Sequence, residues 1–89
     1  MEIAERHHNW ILYRDSDGYY LNSRCSWGAV EPTAEFQLLE NEVEQYIKNG
    51  NDIIHELSKL SDSPMSKECY EKERPISREK LISMRECHK

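Results

Sequence analysis

Long hydrophobic runs are missing from these 89 residues, and so are the short motifs that announce a particular chemistry. No window approaches the ~20 apolar residues of a membrane span. The N-terminus lacks an apolar stretch of signal-peptide length, so a cytoplasmic protein is expected. Cysteine is scarce. Cys25, Cys69 and Cys87 are an odd count without framework spacing, which points to a reducing compartment rather than a disulfide scaffold. These thiols and His88 could in principle surround a zinc ion, and a zinc-binding domain is one alternative. No Cys-x-x-Cys or His-x-x-x-His spacing supports it, so one buried core thiol and two incidental tail thiols are expected. There are only three glycines, none in a phosphate-binding loop.

Positive charge is also in short supply. Twelve basic residues against seventeen acidic ones leave a net charge of -5, which argues against an extended nucleic-acid surface. Nucleophilic catalysis needs a Cys or Ser beside an ordered His. His55 instead lies between an apolar stripe and an acidic face, where it reads as a surface or helix-packing residue. His7-His8 sit on adjacent positions that point to opposite faces of a strand, so the pair chelates poorly. Asp15-Ser16-Asp17-Gly18 has the start of a calcium loop, but Tyr19 and Ser26 occupy later ligand positions. No catalytic, cofactor or metal residue is assigned, and an enzyme is not expected.

What is present is amphipathic order. Across residues 41–61, Val43, Tyr46, Ile47, Ile53, Ile54, Leu57 and Leu60 fall at steps of three and four on one helical stripe. Glu42, Glu44, Lys48, Asn51, Asp52, Glu56 and Lys59 form the opposite, solvent-directed face. Asn41 reads as the N-cap, with Glu44 three residues on to complete a capping box. Asn49-Gly50 reads either as a C-cap or as a glycine within the helix. The stripe keeps its phase across Gly50, so one long helix is expected.

Before the helix the pattern is that of strands. Trp10-Ile11-Leu12-Tyr13 and Tyr19-Tyr20-Leu21 flank Asp-Gly, a strong hairpin signal. A two-residue loop at Asp17-Gly18 pairs Leu12 with Ser23; a four-residue loop shifts the register by two and leaves the faces unchanged. Trp10, Leu12, Tyr19, Leu21, Cys25 and Trp27 then share the core face. Ile11, Tyr13, Tyr20, Asn22 and Arg24 share the other, which fits cross-strand packing, cover by the C-terminal segment, or a partner surface. Residues 28–32 read as a connector, and residues 33–39 as a third strand with Ala34, Phe36 and Leu38 inward.

The tail differs in character. Seven basic residues against five acidic ones follow Pro64, so the acidity of the chain lies in its first 64 residues. Ser66 and Ser77 read as caps of two short helices separated by Pro75. Met65, Cys69 and Tyr70 would give the first a small apolar patch, and Leu81, Ile82 and Met84 would anchor the second. Neither is long enough to stand alone. The expected fold is α+β: an antiparallel three-stranded meander, with room for a short extra N-terminal strand, packed on one long amphipathic helix and followed by one or two short helices. Residues 1–64 would form the domain and residues 65–89 an extension docked on it or on a partner. A chain this small buries only about 60–65% of its unfolded surface and has little space for a deep cavity.

The run Trp10-Ile11-Leu12-Tyr13-Arg14-Asp15, then Gly18-Tyr19-Tyr20-Leu21, then Phe36 to Leu38, then Val43, Tyr46, Gly50, Ile54 and Leu57 resembles small bacterial immunity proteins in layout. The likeness covers roughly residues 10–60 and carries over no contact residues. It implies a cytoplasmic single-domain inhibitor of a cognate toxin, often a nuclease with a basic cleft. An acidic partner would gain on-rate and specificity there. The candidate contacts are Glu42, Glu44, Asp52 and Glu56 on the helix, or Ile11, Tyr13, Tyr20 and Arg24 on the hairpin. A phage or mobile-element accessory protein that inhibits a host defence factor is an alternative with the same biophysics. Homodimerisation through an edge strand or the tail stays open.

Overall fold

A computed structural model describes residues 1–27 and 32–88. Four strands, β1 (Glu2–Arg6), β2 (Trp10–Asp15), β3 (Gly18–Arg24) and β4 (Thr33–Gln37), form an antiparallel meander in the order β1-β2-β3-β4. Four helices follow: α1 (Glu40–Asn49), α2 (Asp52–Leu60), α3 (Pro64–Glu73) and α4 (Arg78–His88). The α+β meander is as expected, with the extra N-terminal strand present. Its register on β2 shifts between Ile3 and Glu5. The bulge twists an outer strand already rich in charge, and both features blunt edge-to-edge pairing. Most of the expected connector, residues 28–31, lies outside the described residues.

The hairpin adopts the register shifted by two, but closes it with a two-residue loop one position earlier than Asp17-Gly18 rather than with four residues. Leu12 pairs with Leu21, Trp10 with Ser23 and Tyr13 with Tyr20, and Asp15 with Gly18 closes a loop of Ser16-Asp17. The Asp15 side chain accepts from the Asp17 amide at 2.9 Å, so an Asx turn shapes the corner. Gly18 has φ 152°, and a Cβ there would stand 2.8 Å from the Gln37 amide nitrogen. A two-residue shift preserves side-chain parity. Trp10, Leu12, Leu21 and Cys25 therefore meet Ala34, Phe36, Leu38, Ile54 and Leu57 in one buried cluster.

The single long helix is overturned. Gly50 takes φ 87°, its amide closes α1 on the Tyr46 carbonyl at 2.9 Å, and Asn51 starts α2. Glu5 pins the joint from β1, accepting from Tyr46 Oη at 2.9 Å and from Asn51 Nδ2 at 2.6 Å. Burial and then this bond push the Tyr46 phenol up to about 12. A glycine at left-handed φ ends a helix at little steric cost, and here that local chemistry outweighs the continuous apolar stripe. Once the helix breaks, the two halves need not share a phase. Val43 and Tyr46 pack on the sheet, whereas Ile47, expected inside, is 69% exposed.

The start of α1 also differs. Its N-cap is Leu39, not Asn41, and Glu42 rather than Glu44 reaches back to the cap amide, at 2.8 Å. Glu42 is thereby drawn out of solvent. Arg74, just past α3, donates from Nη1 to both of its oxygens at 2.8 and 2.9 Å and stacks 4.8 Å from the Tyr70 ring. The placement of Glu42 on a solvated face is therefore corrected; it is buried and paired with Arg74.

The tail helices form as read and both dock. Ser63 caps α3, one turn earlier than expected, and Ser77 accepts from the Lys80 amide at the start of α4. Along β4, α3 supplies partners for the free edge. The Glu35 amide donates to Glu71 and the Gln37 amide to the Arg74 carbonyl. Tyr70 joins the core against Phe36, with ring centroids 4.7 Å apart, but Met65 and Cys69 face solvent. On α4, Met84 is buried and Ile82 is exposed.

Candidate protein-binding surface

Each half of the broken helix turns an acidic strip outward. On α1, Glu40, Glu44 and Ile47 follow one another at steps of four and three, which places them on one line along the helix. On α2, Asp52, Glu56 and Leu60 do the same at steps of four, and Leu60 is 52% exposed. Of the four carboxylates expected on this surface, Glu44, Asp52 and Glu56 are exposed and Glu42 is not. Glu40, Ile47 and Leu60 were missed as surface residues. A reading of α1 and α2 as separate helices, each with its own phase, would have found them. Exposed large apolar side chains amid charge carry more information than an exposed charge alone.

The second hairpin face is covered. Tyr13 and Tyr20 are 3% and 2% exposed, packed with Met84 and flanked by Ile3, Ile11, Ile76, Leu81 and Cys87. The tail-packing reading holds, and neither tyrosine can reach a partner while α4 is in place. Ile11 is half-buried and Arg24 exposed. Both line a cleft of about 470 Å³ beside Met84 and Arg85.

Charge fastens this cover. The Lys80 ammonium lies between two carboxylates of the hairpin turn, contacting Asp15 Oδ2 and, at 2.6 Å, Asp17 Oδ2. Tyr20 Oη donates to Asp15 Oδ1 at 3.0 Å. Burial works against the Asp15 carboxylate, but hydrogen bonds from Lys80, the Asp17 amide and Tyr20 outweigh it and hold its pKa below the ordinary value. The same bonds to Asp15 and Asp17 raise Lys80. Burial, then the bond to Asp15, raises Tyr20.

The thiols are not gathered. Cys25 is buried, with Sγ 3.7 Å from the Ser61 carbonyl, and burial followed by nearby Asp62 pushes its pKa up, away from nucleophile chemistry. Cys69 is on the surface and Cys87 lies by the Met1 carbonyl. Among the described residues no group of three His, Cys, Asp or Glu could hold a metal ion. The histidines do assemble, although not as ligands. His7 stands 4.3 Å from His8 and 4.7 Å from His55 between ring centroids, and Trp10 packs against both His7 and His55. Among the described residues no helix is long and apolar enough to cross a membrane. Comparison of the chain with protein-family models, curated proteins and solved structures gave no significant match.

Proposed function

We propose that this chain acts by binding: it is a cytoplasmic inhibitor of the immunity type, which occupies a basic, partly apolar surface of a toxin through the outer strips of α1 and α2. The observation that carries this reading is Ile47. It is a large apolar side chain in water, one turn beyond Glu44 on a helix whose other apolar residues are turned to the sheet. Desolvating an isoleucine supplies affinity, and the carboxylates around it steer a cationic partner and reject an anionic one. The layout resemblance to immunity proteins supports the same direction. The covered tyrosine face is the weaker candidate, because α4 would have to leave first.

The test begins with affinity capture from the source organism, followed by re-binding of the purified partner and rescue of its toxicity by co-expression. Ile47→Ser and a Glu44→Lys/Glu56→Lys double variant should each weaken the complex at least tenfold. The wild-type complex should weaken with added salt, since surface charges are screened beyond about 8 Å at physiological ionic strength. Unchanged affinity in both variants, with a salt-insensitive complex, would overturn this surface.

A further inference from the structure

The histidine–tryptophan cluster has a geometry that only neutral imidazoles satisfy. Trp10 Nε1, which can only donate, points at His55 Nδ1 from 3.2 Å. The Asn9 backbone amide, also a donor, points at His7 Nδ1 from 3.3 Å. Each ring therefore accepts at Nδ1 and carries its single proton on Nε2. His7 also closes the β1–β2 turn, exchanging backbone hydrogen bonds with Trp10 at 2.8 and 3.3 Å. Trp10 is 2% exposed and belongs to the main core. The cluster is thus where the β1–β2 turn, the core and α2 meet.

We propose that His7, His55 and Trp10 form an acid-sensitive latch, which holds the β1–β2 turn against α2 when both imidazoles are neutral and releases it when they are protonated. A proton on His55 Nδ1 would face the indole N–H, leaving two donors opposed and a buried N–H without a partner. A proton on His7 Nδ1 would oppose the Asn9 amide in the same way. Two imidazolium rings 4.7 Å apart would also repel each other.

The surroundings do not neutralise that charge. From the turn, His8 adds a third imidazole. From β1, Glu5 is the one carboxylate that favours protonation of His7, and it acts more weakly on that ring than burial, His8 and His55 do against it. On α2, Asp52 and Glu56 lie near His55 in sequence and Lys59 one turn beyond it, all exposed and screened by water. Burial first, then His8 and His55, lowers the His7 pKa despite Glu5. The unfolded chain therefore binds the extra proton more readily than the folded one. The contribution to stability is present above an ordinary histidine pKa of about 6.5 and is lost as pH falls below it.

The experiment uses the isolated full chain, so its outcome does not depend on what α1 and α2 bind. Long-range ¹H–¹⁵N correlation of the imidazoles, followed from about pH 7.5 to about pH 5, reads tautomer and protonation directly. Both rings should be Nε2–H tautomers at neutral pH. The Trp10 indole N–H should shift and exchange faster with solvent as His55 protonates, and the melting temperature should fall over the same interval. His7→Asn/His55→Asn keeps an acceptor near each Nδ1 position but cannot take up the proton, so this acid step should vanish. An Nδ1–H tautomer for either ring, an indole resonance indifferent to pH, or the same acid step in the folded double variant would each overturn the latch. If the double variant fails to fold, the tautomers and the indole shift of the unaltered chain decide.

Discussion

The two faces of the sheet are covered by helices in different ways. On one, α1, α2 and Tyr70 of α3 close over Trp10, Leu12, Leu21, Ala34, Phe36 and Leu38, an interior of aromatic and aliphatic side chains. On the other, α4 lays one buried methionine on two tyrosines and is fastened at its first turn by Lys80 between Asp15 and Asp17. Apolar burial is insensitive to direction and salt, whereas an ion pair near the surface is sensitive to both. The first face should therefore govern whether the chain folds. The second should govern only whether α4 stays down.

Phe36→Ala is expected to have the largest effect, a loss of about 3–5 kcal/mol, because the ring is fully buried within the main core cluster. Urea unfolding should show a lower midpoint for the entire molecule. Met84→Ala should cost less, about 2 kcal/mol, at the low end for a buried methionine because α4 has solvent on its outer side. Hydrogen exchange should quicken in α4 while the β2–β3 amides stay protected; uniform quickening would mean that the two faces are one cooperative unit.

Lys80→Met should have the smallest effect and the most specific one. Removing the ammonium lets the Asp15 pKa rise towards its ordinary value, readable in its ¹³C carboxyl titration. In the unaltered chain the ionised Asp15 contributes stability that is present above an ordinary aspartate pKa of about 3.9 and lost as pH falls through its lower folded value. The variant should lose that acid step, together with the salt sensitivity of α4. If α4 exchanges no faster at high salt in the unaltered chain, the electrostatic half of the comparison fails.

Legibility followed the range of the interactions. The hairpin faces, the third strand and the Ser77 cap were readable because alternation and capping are local. Even the ambiguity in the hairpin register did not matter, since either loop kept Trp10, Leu12 and Leu21 on one side. The break at Gly50 was visible only as an alternative. A phase argument spanning residues 43–57 could not register that Glu5, nearly fifty residues away from Asn51, holds the joint. The surface suffered from the same blindness: Ile47 was assigned inward and Glu42 outward, and both assignments reversed. Glu42 is paired by Arg74, thirty-two residues further on, which no local period announces.

From the chain alone came the alternation that makes a meander, the amphipathic stretch that must cover it, and the excess of acid in the first 64 residues. These depend on neighbours within a turn or a strand, where covalent geometry dictates which side chains share a face. Tertiary structure decided which apolar residues were left over for water, which tyrosines lost their access to it, and that His7 and His55, forty-eight positions apart, meet around one indole. Those outcomes depend on pairings between distant segments, and the free energy of each is set by burial and by the partner supplied from elsewhere in the fold.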